Sequence, residues 1–206
     1  MTPELSLFFF SADCAERQDD RYRMLFDAAK FADQHGFAAV WTPERHFQRF
    51  GGLYGSPTAT GAALSVMTSR IGIRAGSVVL PLQNPLRVAE EWAMIDNFSN
   101  GRVAIAAASG WHVNDFVLSP GTYKDRYEDM FQKIELIRRL WRGEKISLGN
   151  GDMPLLLGVN KLHVCPASTS HLLLRMSMKK RRIRRVSALL VCTRVAAALP
   201  RKSVSR

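Results

Sequence analysis

Apolar residues along this chain follow two alternating rhythms. Short apolar runs, the mark of strands covered on both faces, fall at residues 5–10, 37–42, 71–80 and 103–108. Between them, apolar positions return every three or four residues, the period of a helix with one buried face. Residues 21–35 place Leu25, Ala28, Ala29 and Ala32 on one stripe and stop at Gly36, a residue suited to the turn after a helix. Residues 56–67 are small and apolar, which predicts a helix packed close to its neighbours. Residues 86–98 predict a third helix that ends near Gly101. Residues 126–142 put Met130, Ile134, Ile137 and Trp141 on one stripe, with Arg138, Arg139 and Arg142 at the end, where cations suit the helix dipole.

The order is therefore strand then helix, four times over. Parallel neighbours need crossover connections, so this alternation predicts an α/β fold built on a parallel sheet. An open doubly wound sheet and a closed barrel both fit. Neither GxGxxG after the first strand nor GxxxxGK[ST] occurs, which weakens the common dinucleotide and nucleotide phosphate-binding readings.

After Pro154 the texture changes. All 18 acidic residues lie before residue 155, beside 17 of the 29 basic ones. The other 12 basic residues fall in 155–206, with KKRRIRR at 179–185. The net charge of +11 belongs to this last quarter alone, so its high pI carries no message about the rest. No capped strand–helix alternation is read there. The expected division is a folded domain over 1–154 and a basic, disordered tail over 155–206.

Composition narrows the class further. With 206 residues and 47% hydrophobic content the chain can build a real core. No apolar run reaches the roughly 18 residues of a membrane helix, and the start reads as a strand rather than a leader. Three scattered cysteines, Cys14, Cys165 and Cys192, fit a reducing cytoplasm better than a disulfide framework. The five histidines lack metal-ligand spacing and no GxSxG elbow occurs, so neither a metal site nor a serine hydrolase is expected.

In α/β folds the chemistry gathers at the C-terminal ends of the parallel strands. That rule selects residues 11–13, 42–47, 80–85 and 109–116. The second of these reads TPERHF. Its Glu44, Arg45 and His46 can bind an anion or move a proton near neutral pH; they would serve equally as a structural ion pair. The fourth reads SGWHVNDF, where Ser109 and Gly110 allow close approach and Trp111 offers a stacking face. An ordinary glycine turn has the same composition. Gly76 and Ser77 are small residues inside a β-branched run, which marks a bulge, a flat ligand or tight packing.

Taken together, VWTPERHFQRFGGLYGSPTATGAAL, IRAGSVVLPLQNPLRVAEEWAMIDNFSNGRV and ASGWHVNDF followed by RYEDMFQKIELIRRLWRGE resemble the luciferase-like monooxygenases. The resemblance covers about residues 3–153 and is closest to the branch associated with natural-product assembly lines. It implies the N-terminal half of a (β/α)₈ TIM-type barrel. It also implies reduced FMN supplied by a separate flavin reductase, oxygen as co-substrate, and a small-molecule or carrier-bound substrate. By position, Glu44 and His46 match the acidic and imidazole positions after the second strand. Gly76 and Ser77 match a pair joined by a cis peptide against the flavin. Ser11, Ser109 and Gly110 match strand-end positions beside the cofactor. Two departures stand out: Arg45 replaces a luciferase histidine, and Ala108 and Ser109 replace a reactive cysteine and an arginine. An aldehyde-dependent light reaction is therefore not expected.

A full barrel of this kind takes about 250 residues. The expectation is a truncated product whose tail arose by a frameshift near residues 154–160. Such a product would be weakly active or inactive alone and would not retain FMN. Open strand edges would favour a homodimer of half-barrels. The competing class is a non-catalytic fragment whose basic tail binds nucleic acid or acidic surfaces.

Overall fold

The computed structural model describes residues 4–10, 21–148, 151–153, 163–166 and 188–193. Four strand–helix units follow one another: β1 (Glu4–Phe9) and α1 (Arg23–Gln34), β2 (Ala39–Thr42) and α2 (Pro57–Met67), β3 (Gly72–Val79) and α3 (Pro85–Phe98), β4 (Val103–Ala108) and α4 (Arg126–Trp141). β5 (Ile146–Leu148) and β6 (Gly151–Met153) form a small separate antiparallel pair. The main sheet runs β7-β4-β3-β2-β1-β8, with β7 at His163–Pro166 and β8 at Ala188–Thr193. From β1 to β4 the pairings are all parallel, as the alternation of elements requires.

The segment after residue 154 thus adds a strand to each side of the sheet, where no strand–helix alternation was expected. β7 pairs parallel with β4, while β8 pairs antiparallel with β1. Neither run carries caps or a helical partner in sequence. Their pairing is set by exposed strand edges far away along the chain, which local pattern does not register. KKRRIRR lies outside the described residues.

Side chains alternate across the strands, and one face meets the helices. Leu7, Phe9, Val40, Ile73, Ala75, Ile105 and Ala107 pack there against Leu25, Ala29, Leu64, Trp92, Ile134 and Ile137. Each fully buried large side chain of this layer contributes about 1.5–3 kcal/mol. The small residues of α2 have the expected use. A Cβ on Gly61 would sit 3.4 Å from the Trp92 ring, at the α2–α3 contact. The opposite face of the sheet carries Ser6 and Phe8, Ala39 and Trp41, Arg74 and Gly76, Ala104 and Ala106, paired in register across the strands.

The N-terminal rim of the sheet is tied down by two residues. Arg102 directs Nε to Ser99 O, Nη1 to Thr68 Oγ1 and Ile71 O, and Nη2 to Ser65 O and Thr68 O, all at 2.8–2.9 Å. All five guanidinium N–H groups are thereby used. Asp33, on α1, accepts the backbone N–H groups of Ser69, Arg70 and Ile71 at 2.9, 2.7 and 2.7 Å. Burial pushes its carboxyl up, but those three donors and the nearby Arg102 charge outweigh burial and hold it below the usual carboxylate value.

Candidate functional site

At the C-terminal rim the end of β2 meets the end of β3. Glu44 is buried and its carboxylate is shared three ways. Oε2 accepts the Val79 backbone N–H at 2.6 Å, while Oε1 accepts Gln83 Nε2 at 2.5 Å and faces His46 Nε2 at 3.1 Å. Of the partners open to a structural ion pair in this segment, Glu44 takes His46 rather than Arg45, and its other contacts go to β3 and Gln83. A carboxylate oxygen can only accept, so this contact favours the tautomer with the N–H at His46 Nε2, which leaves Nδ1 of a neutral ring as an acceptor. The His46 side chain is 12% exposed and that of Glu44 is fully enclosed. Glu44 is therefore a positioning group, and His46 is the member of the pair with an open basic nitrogen.

The peptide bond between Gly76 and Ser77 is cis. The ladder to β4 slips at this point. Gly76 pairs with Ala106 and Val78 with Ala107, leaving Ser77 without a partner. Of the readings open for this small pair, the bulge is realised, and so is tight packing at Gly76. A Cβ there would lie 2.8 Å from the Trp41 ring and 3.0 Å from that of Phe8. Ser77 is half-buried.

Gly110 adopts φ +78°, and a Cβ on it would lie 2.9 Å from Val79 and 3.0 Å from Phe116. Its carbonyl accepts Arg126 Nε at 3.2 Å. Gly110 thus packs the β3 and β4 ends together, with half-buried Ser109 beside it. Ser11 lies outside the described residues. Glu44, His46, Gly76, Ser77, Ser109 and Gly110 therefore share one rim. Gln83, Phe8 and Trp41 belong to the same neighbourhood and were not read from sequence. The two aromatics sit at alternating, inward positions of β1 and β2, a period-two signal that could have marked them. Gln83 falls in the 80–85 segment that the strand-end rule selected, but nothing in its local pattern singled it out.

The luciferase-like monooxygenase family matches residues 4–171. This chain belongs to that family. The luciferase-like match runs past residue 154 and takes in β7. The oxygenase component of a flavin-dependent trigonelline monooxygenase from Acinetobacter baylyi is 30% identical over 146 residues, 68% of this chain and 39% of that protein. An F420-dependent hydroxymycolic acid dehydrogenase of Mycobacterium tuberculosis is 32% identical over 126 residues, covering 58% of this chain and 34% of the other. Among solved structures, the oxygenating constituent of 3,6-diketocamphane monooxygenase from Pseudomonas putida, in complex with FMN, superposes with a TM-score of 0.63 at 17% identity. That overlap covers 80% of this chain and 51% of the other, so this luciferase-like chain spans about half or less of the relatives it matches. The shared fold is the N-terminal half of their barrel.

The inner face suits a flavin ring by its own chemistry. Gly76, Ala104 and Ala106 carry little side chain on this face, and the rings of Trp41 and Phe8 lie directly against Gly76. Trp41 Nε1 is buried without a hydrogen-bond partner among the described residues, a donor that a ring carbonyl would satisfy.

Proposed function

We propose that this chain carries the ring-binding half of a flavin-dependent monooxygenase site, using FMN delivered reduced by a separate reductase. The substrate is a small molecule, free or carrier-bound. The observation that carries this reading is the hydrogen bond from Val79 N–H to Glu44 Oε2, which joins TPERHF to GSVVLP on one rim. Reduced FMN, when bound, supplies the reaction with oxygen. The protein's part is to orient and to manage protons. Gly76 keeps the inner face flat against Trp41 and Phe8, with Ser77, Ser109 and Gly110 along its edge. Glu44 fixes the His46 ring so that Nδ1 can take a proton released by the substrate and return it.

Anaerobic titration of the full chain with reduced FMN, followed by mixing with oxygen, tests this. The chain spans about half of the FMN-bound relative, so FMN is not expected to survive purification on it; the expected result at high protein concentration is weak but saturable binding and a reoxidation trace unlike that of free flavin. Ser77→Trp should abolish binding with the circular dichroism spectrum unchanged. His46→Asn should bind as before and lose the altered trace. A trace identical to free flavin at the highest protein concentration would refute the reading. Preferential binding of F420 in a parallel titration would refute the choice of FMN.

A further inference from the structure

Arg45 is one of the positions at which this chain departs from the luciferase pattern, and the Glu44–His46 pair does not use it. Its backbone is fixed by its own N–H, which donates to Tyr54 O at 2.9 Å. Its side chain is threaded past Gly51, where a Cβ would fall 2.9 Å from Arg45 Cγ and where φ is +83°. The guanidinium then lies 5.0 Å from the Trp111 ring, 5.5 Å from that of Phe50 and 5.9 Å from that of Phe10. Rings so placed hold a cation by their negative faces and strip part of its water.

Among the described residues the usual counter-charge is missing. No carboxylate among the described residues pairs with Arg45, because Glu44 is committed to Val79, Gln83 and His46. The hydrogen bond that Arg45 does make runs from Nη2 to Gln48 Oε1 at 2.7 Å. That bond leaves Gln48 Nε2 buried with no acceptor among the described residues. A partly desolvated cation beside an idle buried amide is costly unless an acceptor arrives. The complement of a fixed guanidinium fork and an amide N–H is a carboxylate or a phosphate.

The path to this point is apolar. Stacked rings run from Trp41 to Phe8 at 6.3 Å, Phe8 to Phe10 at 5.2 Å and Phe10 to Phe50 at 5.3 Å. One end of the row borders Gly76 and the other borders Arg45. A ribityl chain would find nothing on these three phenylalanines for its hydroxyls, whereas an apolar body would be solvated by them. Resting on the flavin reading of this rim, we propose that Arg45, braced by Gln48 and the rings of Phe10, Phe50 and Trp111, is the specificity-determining anion anchor. It selects substrates whose apolar body ends in a carboxylate or phosphate.

The test titrates the full chain with octanoate, octyl phosphate and octanol, read by tryptophan fluorescence and calorimetry. At least one anion is expected to bind about tenfold or more tighter than octanol. Arg45→Gln should erase that preference while leaving octanol binding and thermal unfolding unchanged. Gln48→Leu should weaken it and provides a second variant if the first misfolds. Preference for octyl phosphate identifies a phosphate-bearing substrate, and preference for octanoate a free acid; either supports the proposal. Equal binding of all three ligands, or a preference that survives Arg45→Gln, overturns it. So does an Arg45→Gln chain that loses FMN but keeps riboflavin, because the guanidinium would then serve the cofactor's phosphate. If the wild type ignores both flavins yet keeps its anion preference, the anchor stands and the flavin reading falls.

Discussion

The two ends of the parallel sheet are built to opposite rules. At the N-terminal rim Arg102 spends all five of its N–H groups and Asp33 gathers three backbone donors. At the C-terminal rim Trp41 Nε1 and Gln48 Nε2 are buried without hydrogen-bond partners among the described residues, and His112 Nδ1 and Asp115 Oδ1 only face each other at 4.0 Å. Phe47 and Trp111 stand 68% and 67% exposed beside them. Satisfied polar groups stabilise a fold, whereas idle ones call for an acceptor or donor from outside. The first rim holds the sheet together, whereas the second leaves buried donors unused among the described residues, which is what the proposed ligand site requires.

The contrast can be broken most sharply at Arg102. Arg102→Ala strands the carbonyls of Ser65, Thr68 and Ile71, and should cost about 3–5 kcal/mol in urea unfolding of the full chain. Glu44→Gln keeps one acceptor oxygen but cannot serve Val79, Gln83 and His46 as a carboxylate does. It should cost about 1–2 kcal/mol and, unlike Arg102→Ala, should also disturb flavin binding. If it changes stability alone, Glu44 belongs with the structural rim.

Asp33→Asn should cost about 1–2 kcal/mol near neutral pH, and the loss should shrink in acid. The folded carboxyl titrates below its unfolded value of about 4. Its stabilisation is therefore complete above that value and disappears as pH falls through the lowered folded one. Unfolding curves of both proteins from pH 7 downward should converge; parallel curves would show that the carboxylate charge is not what matters. The smallest effect is expected at exposed Trp111. Trp111→Ala should move stability by no more than about 0.5 kcal/mol while weakening anion binding. A large loss of stability there would erase the distinction between the rims.

Several parts of this molecule were legible before any coordinates. The stripe of Leu25, Ala29 and Ala32 and that of Met130, Ile134 and Ile137 became the buried faces of α1 and α4. Gly36 took the left-handed conformation after α1, at φ +75°. Local period and turn chemistry act within a few residues, so sequence displays them directly. The rule that chemistry gathers at strand ends selected TPERHF and SGWHVNDF, and both lie at the C-terminal ends of the parallel strands.

Which partner each polar group took was a different matter. Glu44 bonds to residues 35 and 39 positions away rather than to adjacent Arg45, and no spacing rule reports that. The row of Trp41, Phe8, Phe10 and Phe50 joins three separate segments and exists only after β1 and β2 pair. The same holds for β7 and β8. Their short runs lack caps and period, and became strands because β4 and β1 offered open edges. Sequence alone determined the order and kind of the four strand–helix units, because those follow from near neighbours. Tertiary structure decided the ring-held cation, the shared carboxylate and the outer strands, because each depends on groups that meet only when distant segments are brought side by side.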